Sequence, residues 1–166
     1  ARSLDQNLTF DKSVDFFKKR KVEFGKAQMR TLHLIGEDDT YTNLAFLLSE
    51  QCIHMIKLAV FEGSKKTVFK DRRELSGSLL EQLEEAFDYI ERYNRTRAEF
   101  SGLDRLDMRD YPPEAIREAL LNAIVHRDYS FSGATLISIF EDRIEFVTIG
   151  GLVNGITLDD VKLGVS

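Results

Sequence analysis

Three side chains with hydrogen-bonding and metal-binding chemistry recur at every fourth position late in the chain: Glu118, Asn122 and His126. At about 100° per residue, a helix places them in one polar stripe, one turn apart. A carboxylate can act as a base, an amide oxygen can bind a hard cation such as magnesium, and a histidine can hydrogen-bond to either. The spacing therefore suits a site for a charged ligand. It equally suits a helix whose polar side only hydrogen-bonds to a neighbouring strand or loop.

The residues from Tyr111 to Tyr129 are predicted to form the helix that carries this stripe. Pro112 and Pro113 stand at its start, where a missing N–H donor costs nothing. The stripe is flanked by apolar residues, and the opposite side of the helix is apolar too: Leu121 and Val125 on the flanks, and Ile116, Leu120 and Ala123 opposite. A helix with this pattern is predicted to be sandwiched between other elements, so that its polar groups need partners.

Length and composition indicate an ordinary globular protein. The chain has 166 residues, 43% of them hydrophobic and 31% charged, which suffices for one sizeable core or two small ones. No apolar run is long enough to cross a membrane, and no signal peptide is evident, so we expect no membrane partner and a cytoplasmic location. The single Cys52 cannot form an intrachain disulfide.

Two basic runs depart from the acidic balance of the chain. The formal net charge of -5 argues against a protein that binds polyanions with its whole surface. Lys18–Lys21 and the stretch from Lys65 to Arg73 could nevertheless contact phosphate groups. Each run could as well be a solvated face beside a helix end or a hairpin.

The first half of the chain predicts a helical part followed by a small β-hairpin. Helices are expected near residues 10–19, 26–34 and 42–49, a buried strand at 53–61 and a return strand from Thr67. This order has the outline of a winged helix, whose third helix would read DNA. Residues Asn43 to Glu50 contain no Lys or Arg, however. If the outline is right, that helix therefore serves packing or protein contacts rather than DNA readout.

The second half predicts helices on a sheet. Ser78 and Glu81 form a capping box that opens a helix to about Tyr93. Strands are predicted at 136–140 and 143–147, which makes the clearest hairpin of the chain. Gly150 and Gly151 follow, and two glycines at a strand end permit close approach of a ligand to backbone N–H groups, although a plain turn needs them as well. We therefore predict an α+β fold.

Taken together, these motifs resemble the RecG-related transcriptional regulators of bacteria, in which a Schlafen-type AlbA DNA-binding domain precedes a degenerate GHKL-type ATPase domain. The resemblance is carried by Tyr111-Pro112-x-Glu114-Ala115-Ile116-Arg117-Glu118-Ala119-Leu120-x-Asn122-Ala123-Ile124-x-His126-Arg127-Asp128-Tyr129, Asp142-Arg143-Ile144-Glu145 and Gly150-Gly151-Leu152. It implies that residues 1–75 form a helical and hairpin connecting region. Residues 76–166 would then be part of a GHKL-like ATPase domain, an incomplete layer of helices on a mixed or antiparallel sheet.

The resemblance also implies residue roles, with ATP and magnesium as cofactors. Glu118 would be the base that orients water, and Asn122 the magnesium-binding amide. Gly150 and Gly151 would lie beneath the adenine, and His126, Arg127 and Asp128, a signature of the family, would hold the loop that covers the phosphates. The implied partners are DNA, bound through other domains of the full-length protein, and a second copy of the chain.

Parts of an active ATPase are missing from the sequence. Thr148 and Ile149 precede the glycines where related enzymes carry the acidic residue that reads adenine, and no second glycine-rich lid motif follows. Any ATPase activity is therefore expected of the full-length protein and not of this fragment, and the absence of a Walker A motif argues against a helicase. Two hypotheses remain: a nucleotide-binding regulatory module, and a nucleotide-free scaffold for protein interaction or dimerisation.

Overall fold

The computed structural model describes residues 1–94, 96–101, 103–148 and 153–157. The helices are α1 (Asp11–Lys19), α2 (Lys26–Thr31), α3 (Asn43–Leu48), α4 (Leu79–Tyr93) and α5 (Pro113–Val125). The strands are β1 (Ile56–Phe61), β2 (Phe69–Leu75), β3 (Thr96–Ser101), β4 (Asp104–Arg109), β5 (Thr135–Ile139), β6 (Arg143–Val147) and β7 (Val153–Thr157). The α+β class predicted from the sequence is confirmed.

Contacts divide the chain into two units, Ala1–Met55 with Leu75–Glu84, and Ile56–Glu74 with Glu85–Ser166. This division differs from the predicted boundary after residue 75. The difference arises because β1 and β2 belong to the sheet of the second unit. The two strands are therefore part of the larger sheet and not a separate two-stranded hairpin.

The first unit holds α1, α2 and α3 around a small apolar core. Its buried members come from the N-terminal segment and from α2, α3 and the turn that joins them: Leu8, Phe10, Met29, Leu34, Ile35 and Ala45. The ring of Phe10 contacts Tyr41 with 5.3 Å between ring centroids. Thr42 caps α3, because its hydroxyl accepts a hydrogen bond from the Ala45 N–H at 3.3 Å.

The second unit is built on a five-stranded mixed sheet with the order β2-β1-β5-β6-β7. β1 runs parallel to β5, with Ile56 opposite Thr135 and Val60 opposite Ile139, whereas the β5–β6 and β6–β7 pairs are antiparallel. The predicted β5–β6 hairpin is thus confirmed. α5 packs on β6 and β7, and β3 and β4 form a two-stranded hairpin of their own.

A buried asparagine ties the end of α4 to the start of α5. The Asn94 side-chain amide donates to the Tyr111 carbonyl oxygen at 2.7 Å, and the Tyr111 N–H donates to the Asn94 Oδ1 at 3.0 Å. Both residues are buried. The chain leaves this paired point to form the β3–β4 hairpin and returns to it, so Asn94 fixes where α5 begins.

Within the part of the chain that the structure describes, no helix is long and apolar enough to cross a membrane.

Candidate functional site

The candidate site is built on α5, and the sequence accounts for the start of that helix. Pro112 is the N-cap residue, with extended backbone at φ −60° and ψ 137°, and Pro113 occupies the first helical position. The Pro112 carbonyl accepts the first helical hydrogen bonds, from Ala115 at 3.0 Å and from Ile116 at 3.2 Å. One side of α5 then packs inward through Ala115, Ile116, Leu120, Ala123 and Ile124.

The opposite side of α5 faces solvent and carries the predicted polar stripe. Glu118 and Asn122 are both exposed. The flanking Leu121 and Val125 are exposed too, at 44% and 70% of their surface. The prediction of a helix sandwiched on both sides is therefore wrong. Because α5 covers the sheet with one face, its outer face leaves a carboxylate and an amide one turn apart, within reach of a ligand.

α5 ends at Val125, four residues before the predicted end at Tyr129. His126 is the C-cap, and its N–H donates to the Asn122 carbonyl at 3.0 Å. The Tyr129 hydroxyl then folds back and donates to the Ile124 carbonyl at 2.7 Å, which satisfies one of the carbonyls left free at a helix end. His126 is exposed, so it lies near the stripe but outside the regular helix.

Arg127 points inward and supports the loop that follows α5. It is only 4% exposed. Its guanidinium donates to the Thr135 hydroxyl at 3.1 Å and to the Gly133 carbonyl, and it lies over the Tyr129 ring with its carbon 5.3 Å from the centroid. The structure thus separates Arg127 from the exposed face that Glu118 and Asn122 share.

Asp128 forms the turn after the helix. Its carboxylate accepts hydrogen bonds from the Ser130 hydroxyl at 2.5 Å and from the Ser130 N–H at 3.0 Å. These bonds, the hydroxyl first, lower the pKa of Asp128 below its ordinary value, because they stabilise the charged form. An Asp two residues before a Ser favours a turn, and this spacing could have revealed from the sequence that the helix stops.

The remaining predicted site residues, Gly150 and Gly151, lie outside the described residues. The strand that follows them, β7, pairs with β6 from Val153 onward, and Val153 stands opposite Val147. α5 also packs on β7, so the helix with the stripe contacts the strand that follows the two glycines.

The oxygen donors on α5 suit a hard cation. Among the described residues, no group of three or more His, Cys, Asp or Glu side chains could hold a metal ion by itself. Asn122 and Glu118 nevertheless supply an amide and a carboxylate oxygen, the donors that magnesium prefers, and magnesium commonly takes only one or two protein ligands beside phosphate oxygens. The residues present thus fit a magnesium ion that arrives with a phosphate ligand.

Sequence reasoning missed the residues that support this region. Tyr129, Gly133 and Thr135 fix the loop after α5, and Asn94 fixes the start of the helix. A buried arginine needs hydrogen-bond acceptors nearby. For Arg127, this need is the signal that could have pointed to Tyr129, Gly133 and Thr135. For Asn94 the sequence offers no such signal, because its partner lies seventeen positions away.

No family model and no curated protein sequence matches the chain. Among solved structures, it is similar to the DIP2311 protein from Corynebacterium diphtheriae, with a TM-score of 0.79 and 19% sequence identity. The similarity covers 91% of this chain and 32% of that protein, so the chain spans about a third of the length of its structural neighbour. At this level of identity the similarity concerns the fold alone.

Proposed function

We propose that this chain is an ATP-binding regulatory module of a bacterial, cytoplasmic RecG-related transcriptional regulator that binds DNA through other domains. The observation that supports it best is the pair of exposed oxygen donors on α5, Glu118 and Asn122, on a helix whose other face is buried. An exposed helix face also carries polar residues when it binds no ligand. The test must therefore measure ligand binding directly.

The proposal assigns a separate role to each predicted site residue. Asn122 would hold the magnesium ion of Mg-ATP, and Glu118 would orient a water molecule near the phosphates. Gly150 and Gly151 would lie beneath the adenine, and His126 would hydrogen-bond to the ligand or its water. Arg127 and Asp128 would contribute by holding the loop after α5. The charged phosphates of bound ATP, with their magnesium ion, would order the module. We propose that this chain binds ATP and does not hydrolyse it.

Titration with a fluorescent ATP analogue in the presence of magnesium tests the proposal. We expect a saturable signal that Asn122→Ala weakens about tenfold or more, because a lost ligand of a hard cation typically costs this much. Arg117→Ala is the matched control, since Arg117 is also exposed on α5 but lies off the stripe. Chelation of magnesium should abolish the difference between wild type and Asn122→Ala. Absence of a saturable signal from the full-length protein would overturn the proposal.

A second candidate function, dimerisation without nucleotide, is favoured by a different observation. Leu121 and Val125 expose apolar surface on the same side of α5 as the polar stripe. Exposed apolar groups that lie together mark interaction surfaces more often than isolated ones do. The partner in this reading is a second copy of the chain.

Sedimentation velocity over a range of concentrations tests dimerisation. Leu121→Ser with Val125→Ser should then shift the chain to the monomer, because the substitutions remove the apolar contact. Leu32→Ser with Val22→Ser is the matched control, since these two residues are exposed to a similar degree, 45% and 49%, in the first unit. A wild-type chain that stays monomeric at every concentration contradicts this candidate, whatever the nucleotide titration shows.

A further inference from the structure

The most basic segment of the second unit runs from Lys65 to Arg73, and we call it the basic segment. It contains five cations and a single carboxylate: Lys65, Lys66, Lys70, Arg72 and Arg73, and Asp71. It comprises the turn after β1 and most of β2, and every residue in it is exposed. The chain as a whole has a net charge of -5, so this segment is a local concentration of positive charge on an acidic protein.

Only part of this charge is neutralised by neighbouring side chains. Arg73 lies 3.6 Å from the Glu85 carboxylate and Lys66 lies 4.0 Å from that of Glu145. Within the described residues, Lys65, Lys70 and Arg72 have no carboxylate at ion-pair distance. These three cations therefore remain available to an anionic partner.

The one carboxylate of the segment is already engaged. The Tyr93 hydroxyl donates a hydrogen bond to the Asp71 Oδ2. This bond is the main cause that lowers the pKa of Asp71, so the carboxylate stays charged and directed at Tyr93. The segment therefore keeps an excess of four positive charges, five cations against this one carboxylate.

An exposed aromatic ring lies among the cations. The Phe140 and Phe61 rings stack at 5.1 Å with 13° between their planes, and Phe69 continues the row at 4.7 Å from Phe61. Phe61 and Phe140 are buried, whereas Phe69 is 57% exposed. The row therefore ends in a ring that is more than half exposed, and the Arg72 guanidinium carbon lies over this ring at 5.8 Å from its centroid.

The fold holds this surface in place. The Arg143 guanidinium donates to the Ser64 carbonyl at 2.9 Å, and the Glu141 N–H donates to the Gly63 carbonyl at 3.1 Å. Gly63 has φ 72°, which a side chain would strain, so the turn needs glycine here. Contacts with the β5–β6 turn thus fix the turn that presents Lys65 and Lys66, and a partner need not order it.

The charged side chains of β2 argue against a peptide strand as the partner. β2 is an edge strand and could in principle pair with another strand. Charged side chains along an edge discourage such pairing. Cations beside an exposed aromatic ring are instead the combination that binds single-stranded nucleic acid, in which phosphates meet the cations and unpaired bases stack on the ring.

We propose that the basic segment is a binding surface for single-stranded nucleic acid, with Lys70 and Arg72 contacting phosphates and Phe69 stacking on a base. This function is separate from nucleotide binding on α5 and does not depend on it. A duplex would meet the same cations but could not present a base to Phe69, because its bases are stacked inside the helix.

Fluorescence anisotropy with a labelled oligothymidylate of about twenty nucleotides tests the proposal, measured from low to moderate salt. Lys70→Gln with Arg72→Gln should weaken binding about tenfold or more at low salt and reduce the slope of log affinity against log salt by about 1.4, because each phosphate contact on a single strand contributes about 0.7. Phe69→Leu keeps apolar contact with Phe61 but loses the ring. It should weaken binding about fivefold or more and leave the salt slope unchanged.

The chain provides a matched control in its other basic run. Lys18→Gln with Lys21→Gln removes the same charge from exposed positions of the first unit and should leave affinity and slope unchanged. Equal weakening by this pair would overturn the proposal, because attraction would then be diffuse. Equal affinity for duplex DNA with no effect of Phe69→Leu, effective competition by polyglutamate, or no saturable binding would overturn it as well.

Discussion

Replacing Arg127 by alanine is expected to lower the free energy of unfolding by about 3 kcal/mol, since each hydrogen bond made by a charged group contributes about 1.5–3 kcal/mol. The guanidinium is buried and donates to the Gly133 carbonyl and the Thr135 hydroxyl, and it lies over the Tyr129 ring. Alanine removes all of these contacts and leaves a cavity beneath the loop. Urea unfolding monitored by circular dichroism measures the change.

Two further variants make this expectation specific to the guanidinium. Arg127→Lys keeps the charge but has a single ammonium group, which cannot reach both acceptors with the geometry of a planar fork, so we expect an intermediate loss. Arg117→Ala removes an exposed arginine from the same helix region and should change stability by less than about 0.5 kcal/mol. If Arg127→Ala were no more destabilising than Arg117→Ala, the role of Arg127 in holding the loop would be refuted.

Local patterns were enough to predict most of the elements. The capping box at Ser78 predicts α4, the prolines at 112 and 113 predict the start of α5, and the two strand segments at 136–140 and 143–147 predict the β5–β6 hairpin. Each of these signals lies within the element that it predicts or directly before it. These predictions therefore do not require knowledge of the tertiary structure.

The pairing of β1 was not predictable in the same way. β1 was expected to pair with the return strand β2, and the two are neighbours in the sheet. It also pairs in parallel with β5, with Ile56 opposite Thr135, and this second pairing was not predicted. A parallel pair requires a long crossover, so its partners lie far apart in sequence and no local pattern links them. A nearly continuous apolar run predicts a buried strand in either arrangement, so hydrophobicity alone does not choose between them.

At the candidate site, too, local sequence patterns predict the helix but not its tertiary contacts. Periodicity correctly places Glu118 and Asn122 on one face of α5. It also suggests burial for Leu121 and Val125, because apolar residues are usually inside, and here both are exposed. The end of the helix depends on Arg127, Asp128 and the side chains they meet, and these interactions outweigh the helical preference of the residues up to Tyr129.

A substitution at Asn94 is expected to show a large and pH-dependent effect. Asn94→Ala removes the donor to the Tyr111 carbonyl and the acceptor of the Tyr111 N–H. It should cost about 3 kcal/mol, because each buried backbone group that loses its partner costs about 1–3 kcal/mol. Asn94→Asp keeps the acceptor but places a carboxylate oxygen against the Tyr111 carbonyl, with Glu91 at hydrogen-bond distance from the same side-chain position.

The sign of the pH dependence in Asn94→Asp follows from burial. Burial, the Tyr111 carbonyl and Glu91 all disfavour the charged carboxylate, so its pKa in the folded state should lie above the value of about 3.9 in the unfolded chain. Well below pH 4 the carboxyl group is protonated in both states and can donate to the Tyr111 carbonyl, and the variant should then be close to wild type in stability. As pH rises towards the folded-state pKa, the difference in unfolding free energy should grow by up to about 1.36 kcal/mol per pH unit.

Urea unfolding of wild type, Asn94→Ala and Asn94→Asp between pH 4 and pH 8 measures this difference directly, with the wild-type curve subtracted at each pH. Asn94→Ala introduces no titratable group, so its loss should be constant over the range and serves as the control. A loss in Asn94→Asp that is equal at pH 4 and pH 8 would show that the side chain reaches water. The link between the end of α4 and the start of α5 would then not be the buried double hydrogen bond that the geometry indicates.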